Sequence, residues 1–309
     1  MSLHNTAEQR RGLAEMILAM VICGTIGLTV TLSGLPETQL IFFRCFFGAL
    51  ILGLLCLAKG IFTRVHYTRT FWAASLIGGA ALLANWYFLF SAYGKTSIGI
   101  ATTVYNTQPF MMVLICTFLF KEKITKSIIF WLLVSFIGLY LISSTQIHTD
   151  KPYSAYITGI IEALAAAALY AVASVAAKYL KNYPPVLIAF FQMLLGIVLF
   201  LPFADFNIFT HSVISAPILA AVTLGIVHTG LMYIFLYGAI QKLEAYKVAS
   251  LSFLYPVLAL LIDRYFFNVH LESVQLLGVL LILSGAAGVN LKALFHKFFP
   301  THSMSQEHK

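Results

Sequence analysis

Charge is what this sequence has least of. Only 10% of its 309 residues are Asp, Glu, Lys or Arg, against roughly 25% in ordinary soluble domains, while 60% are hydrophobic. A water-soluble globule is excluded. Nor is there a GxxxxGK(S/T) segment to cradle nucleotide phosphates, so the chain does not itself hydrolyse ATP. HExxH, a GxSxG-like serine and paired intramembrane aspartates are absent as well, and His228 with Ser250 or Ser252 is too little for an intramembrane protease or lipid-modifying enzyme. The four cysteines, Cys23, Cys45, Cys56 and Cys116, lack CxxC or His-Cys spacing. They read as packing residues, and no metal or other cofactor is expected. Neither the charge rings nor the repeated carbonyl filter of a channel is evident, and no segment is long enough for the soluble module of a receptor or scaffold.

What the chain does have is recurrent apolar runs, each approaching the roughly 20 residues with which a helix crosses ~30 Å of hydrocarbon. The runs are continuous instead of alternating, which argues for helices and against a membrane β-barrel. Spans are predicted over 12–34, 38–59, 70–93, 97–120, 127–146, 154–180, 184–204, 213–240, 244–263 and 272–293. The fold class is an all-α membrane protein with ten transmembrane helices. Arg10 and Arg11 precede the first apolar run as in a signal peptide, but no small-x-small cleavage site follows, so that run is read as a retained helix. Arg44 lies inside a span, Lys95, Lys151 and Arg264 fall on one side, and the other fifteen of the 19 basic residues fall opposite. Basic residues mark the cytoplasmic side. This sorting predicts a multi-pass inner-membrane protein with both termini cytoplasmic, and it explains the net charge of +8 without nucleic acid.

The chain also repeats itself. Pro36, Phe43 and Gly48 match Pro184, Phe191 and Gly196 at an offset of 148; Pro109 and Gly138 match Pro256 and Gly285 at 147; Tyr93-Gly94 matches Tyr237-Gly238. Two units are expected, residues 1–150 and 151–309. Five spans per unit force the second to insert upside down, giving inverted five-helix repeats with a site at their interface near the midplane.

Ala92 to Lys123, with its Ala-Tyr-Gly helix end, short turn, small residues, mid-helix Pro109 and Glu122, resembles the EamA-type branch of the drug/metabolite transporter superfamily. Leu236 to Leu271 repeats the pattern, and Arg44 followed by Phe46, Phe47, Gly48, Ala49 and Leu50 resembles the family's arginine-led second helix. The resemblance implies ten helices in two inverted repeats, cytoplasmic termini and a central cavity lined by helices 1, 3, 4, 6, 8 and 9. This chain departs from the family at Val269, where an acidic counterpart of Glu122 is common.

Polar side chains inside a membrane are costly, so each is a candidate for function. The candidate substrate-binding residues are Asn85, Trp86, Tyr105, Gln108, His228, Tyr233, Ser252 and Tyr255, on helices that form two repeat-related pairs. For Asn106, Gln108 and Ser252, interhelical hydrogen bonding is the competing reading. Pro109 and Pro256 each remove a backbone donor, which either breaks the helix to offer carbonyls or merely kinks it for packing. Arg44 and Glu162 sit at matching depths, roughly 10 Å from the outer side. Two readings stay open, an ion pair between them or a Glu162 that takes a proton or a substrate ammonium; snorkelling explains Arg44 more simply than substrate binding does. His228 is the histidine deep in a span, suited either to proton coupling or to a neutral ring held by a neighbouring hydroxyl. Glu15 is assigned to the dipole at the start of helix 1.

The expected function is secondary transport of small metabolites by alternating access, most directly export of an amino acid or related compound. Alternatives are an uptake or exchange carrier for a nucleotide-like metabolite, or efflux of cationic drugs. The expected partners are a small-molecule substrate and membrane lipid, with proton or counter-substrate coupling; monomer and homodimer both stay open.

Overall fold

The computed structural model describes residues 3–96, 98–144, 152–206, 215–266 and 272–298. Lys151, Val269 and Lys309, which entered the expectations above, lie outside them. Among the described residues nine helices are long and apolar enough to cross a membrane: α1 (Ala7–Val30), α2 (Glu37–Ala58), α3 (Arg69–Lys95), α4 (Gly99–Phe120), α5 (Lys126–Ser144), α6 (Tyr153–Tyr179), α7 (Pro185–Phe203), α8 (Ala216–Lys242) and α9 (Ala245–Phe266). The tenth expected span falls on α10 (Ser273–Phe298), whose described apolar stretch, Ser273–Val289, is shorter.

Burial runs opposite to that of a water-soluble protein. Leu57, Phe118 and Val198 are at least two-thirds exposed, whereas Asn85, Asn106, Ser135, Gln192 and Thr229 are wholly buried. Hydrocarbon offers polar groups no partner, so they turn inward and apolar side chains face outward. The helices pack α1 on α8 and α9, α2 on α7 and α8, α3 on α6 and α7, α4 on α6 and α9, and α5 on α10. Exchanging every helix for the one five places along leaves this pattern unchanged.

The α5/α10 contact rests on backbone proximity. A Cβ on Gly138 would lie 2.6 Å from the Gly278 carbonyl oxygen, and one on Gly278 would lie 2.5 Å from the Gly138 carbonyl oxygen. Only glycine permits this approach, the small-residue packing by which helices associate in lipid.

Four helices are irregular. α4 is divided into Ile98–Tyr105 and Gln108–Phe120, and α9 into Ala245–Ser252 and Leu254–Phe266. Proline has no N–H and its ring crowds the carbonyl four residues back. Pro109 therefore frees the carbonyl of Tyr105, and Pro256 that of Ser252, at repeat-related positions. α1 is interrupted at Thr25, and α8 contains a π-helical turn at Ile226–Leu231. There Thr229 Oγ1 donates to the carbonyl of Leu224, five residues back, at 2.8 Å.

Charged residues gather at the helix ends. The Glu122 carboxylate, just after α4, pairs with Lys178 of α6 at 2.6 Å and accepts the amide N–H of Ala245 at the start of α9 at 2.7 Å. Lys178 also donates to the Leu243 carbonyl beyond α8 at 2.6 Å. Glu15 pairs with Lys242 of α8 at 2.6 Å and with Arg11 at 2.9 Å. The dipole explanation for Glu15 is thereby corrected: the helix begins by Leu3, three turns earlier, and the dipole acts only within the first turn.

Candidate functional site

Arg44 sits seven residues into α2, about 10 Å along the axis at 1.5 Å per residue. Gly48, one turn on, lets α8 approach so closely that an added Cβ would lie 2.9 Å from Thr229 Cγ2. That approach brings Arg44 Nε to 3.2 Å from Thr229 Oγ1, to which it donates. The guanidinium carbon lies 4.3 Å from the centroid of the Trp86 ring on α3, and the side chain is only 3% exposed. Arg44 therefore points into the bundle, and the snorkelling expectation is overturned. The reading of an ion pair with Glu162 is corrected too. Glu162 engages Lys95 at the end of α3, because α3 and α6 pack side by side and place that lysine nearer than Arg44.

Around Trp86 the other aromatics assemble. Tyr233 of α8 meets Trp86 edge-on at 6.1 Å between ring centroids and stacks edgewise on Tyr237 at 5.2 Å. Tyr237 donates to Gln192 Oε1 at 2.5 Å, and Gln192 is the repeat partner of Arg44. Tyr105 of α4 meets Tyr170 of α6 at 6.0 Å. Tyr170, Tyr233 and Tyr255 lie within electrostatic reach of Tyr105; Tyr233 and Tyr255 lie also within reach of Tyr170, and Tyr105 and Tyr233 within reach of Arg44. The hydroxyl of Tyr105 is held beside Asn85, whose amide donates to the Ala166 carbonyl on α6 at 2.8 Å. Asn106 donates to its own helix at Thr102 and, at 2.7 Å, to the Tyr255 hydroxyl on α9.

His228 Nε2 is 2.7 Å from the Thr25 hydroxyl at the α1 break, and Nδ1 is 3.4 Å from the Thr223 carbonyl. The Thr25 hydroxyl is also 2.7 Å from the Ile22 carbonyl, so a neutral ring with Nδ1–H donating and Nε2 accepting requires Thr25 to turn its single proton from that carbonyl to the ring. Ser252 is buried and its hydroxyl donates back to the Val248 carbonyl of its own helix at 2.8 Å. Gln108 is buried beside Pro109 in the second segment of α4.

Of the residues singled out in the sequence, the fold thus gathers Arg44, Asn85, Trp86, Tyr105, Tyr233 and Tyr255, and pairs Glu162 with Lys95. Tyr170, Thr25 and Thr229 were missed. A lone tyrosine in the alanine run of α6 was the available signal for Tyr170; the threonines gave none, since a helix hides their hydroxyls against its own carbonyls. A separate cleft of about 220 Å³, lined by Arg11, Glu15, Leu55, Lys59, Pro184 and Lys242 among others, shares no lining with the tyrosine group.

Comparison with known proteins agrees with this architecture. A family described as the EamA-like transporter family matches twice, over residues 10–144 and 157–291. An uncharacterized transporter of Bacillus subtilis is 29% identical over 283 residues, 92% of this chain and 90% of that one. Another, from Archaeoglobus fulgidus, is 27% identical, covering 89% of this chain and 95% of its own. A crystal structure sharing 21% identity has the same fold, with a TM-score of 0.79 over 91% of this chain and 96% of that one.

Proposed function

The chain belongs to the EamA-like transporter family, and from that premise we propose that it exports an amino acid or a related small metabolite by alternating access. The carrying observation is the convergence of Trp86, Tyr105, Tyr170, Tyr233 and Tyr255, from α3, α4, α6, α8 and α9, on one interior region. A membrane protein that surrounds an interior with aromatic faces and hydroxyls has the lining that an amphipathic solute needs.

Two five-helix units of opposite sense rock about that region, and with α10 as a full span the helices number ten. The unchanged packing under five-helix exchange supports this reading. So does the meeting of the N-terminal half of α1, at Glu15, with the end of α8, and of the ends of α4 and α6 with the start of α9. The basic residues at that end favour an inner-membrane setting with cytoplasmic termini. The freed carbonyls at Tyr105 and Ser252 suit a site flanked by broken helices. Energy comes from a proton or counter-substrate gradient.

Uptake into inverted and right-side-out vesicles, over labelled amino acids, nucleotide-like metabolites and organic cations with and without a pH gradient, tests this. Saturable, gradient-sensitive accumulation of an amino acid in inverted vesicles is expected. Folded protein that moves nothing in the panel refutes it.

A further inference from the structure

Arg44 presents an unbalanced charge. Guanidinium stays protonated wherever a protein places it, so burial cannot be relieved by neutralisation. Among the described residues its electrostatic neighbours are Tyr233, Tyr105, Cys23 and Cys45, none of them a carboxylate. Glu15, Glu122, Glu162 and Glu244 all pair with lysines. Nε–H is committed to Thr229, and the guanidinium carbon lies 4.3 Å from the centroid of the Trp86 ring; a stacked contact of that kind does not itself engage the in-plane donors of the terminal amino groups. The repeat partner Gln192, in the same kind of buried setting, is neutral and bonded to Tyr237, so helix packing at this position does not itself require a cation.

We propose that Arg44 is the anion anchor of the transport site, receiving the carboxylate of a small organic or amino acid whose apolar body lies among Trp86, Tyr105 and Tyr233. The assignment rests on the transport reading above and narrows it: the substrate is a monoanion or zwitterion, not a cationic drug. Charge matching selects carboxylate over phosphate. A single guanidinium balances a carboxylate, whereas His228, the other basic group nearby, is already engaged by Thr25 and the Thr223 carbonyl, leaving a phosphate dianion with excess charge. Planar carboxylate also fits the guanidinium fork in a bidentate pair.

The test uses full-length purified protein and a thermal-shift titration with L-phenylalanine, L-leucine, L-glutamine and benzoate, each beside its methyl ester. At least one acid is expected to stabilise the wild type at a concentration at least tenfold below its ester. Arg44→Gln is expected to abolish that preference, and Arg44→Lys, which keeps charge but not the fork, to retain part of it. A merely structural arginine would change the melting temperature without changing acid-over-ester selectivity. The wild-type comparison stands even if a variant does not fold. Esters binding as well as acids, or no acid binding, overturns the proposal. Flux of the same labelled acids and esters into vesicles separates the two readings. Binding of acid without flux of any solute breaks the transport reading and leaves the anchor; flux of solutes lacking a carboxylate, unaffected by Arg44→Gln, breaks the anchor and leaves transport.

Discussion

Asn106, at the break in α4, donates a 2.7 Å hydrogen bond to the hydroxyl of Tyr255, at the break in α9. The bond ties together two repeat-related interruptions that each precede a proline. Interhelical hydrogen bonds in membrane proteins contribute on average about 0.6 kcal/mol, with a maximum near 1.7. Tyr255→Phe and Asn106→Ala are each expected to destabilise by about 1 kcal/mol, and the double variant by less than the sum. A double-mutant cycle on reversible unfolding in detergent reads this; strict additivity would show that the bond does not couple the helices.

Glu122 serves two masters. Its carboxylate neutralises Lys178 and accepts the N–H of Ala245, an otherwise orphaned donor at a helix start. Glu122→Gln should lower stability by about 2 kcal/mol, in the range for hydrogen bonds to charged groups. Adding Lys178→Met should recover part of the loss, because no bare ammonium remains. The charge swap Glu122→Lys with Lys178→Glu should not recover it, since Ala245 would still lack an acceptor. Thermal unfolding of the four proteins decides, and full rescue by the swap would contradict the capping role.

Gly278→Ala places a methyl group against the Gly138 carbonyl and should destabilise by about 1–3 kcal/mol, as overpacked contacts do. Gly94 has open space around it, so Gly94→Ala serves as the near-neutral control. Equal melting temperatures for the two variants would mean that α5 and α10 are not held as closely as described.

His228 lies within hydrogen-bond distance of two neutral oxygens, Thr25 Oγ1 and the Thr223 carbonyl, and no carboxylate among the described residues is paired with it to hold a charged ring. His228→Gln is expected to retain whatever pH-gradient stimulation of transport the wild type shows, with a stability loss of about 1 kcal/mol from the broken bond to Thr25. Loss of gradient stimulation at unchanged folding would instead make the imidazole a proton carrier.

The sequence was informative where lipid alone decides the outcome. A span needs only length and apolarity, so Glu37–Ala58 and Lys126–Ser144 were read within a few residues. Pro109 marked the break in α4 because its chemistry acts locally. The π turn at Ile226–Leu231 left no mark, since no proline or glycine pair announces it. Partner choice was the least legible. Arg44 and Glu162 share a depth, and depth is all that the sequence supplies; the azimuth about each helix axis, fixed by packing of α3 on α6, gave Glu162 to Lys95 instead. Tyr170 escaped notice for the same reason, because aromatic residues facing lipid and those facing an interior look alike in a continuous apolar run.

The interhelical hydrogen bonds and ion pairs described for residues before 144 run to residues after 152: Glu15 to Lys242, Thr25 to His228, Arg44 to Thr229, Asn85 to Ala166, Lys95 to Glu162, Asn106 to Tyr255, Glu122 to Lys178. Neither half carries its own complement. A fragment ending at the midpoint would hold a bare arginine and orphaned amides in hydrocarbon, the state that cellular quality control removes, whereas two fragments made together would find in each other the partners that each lacks.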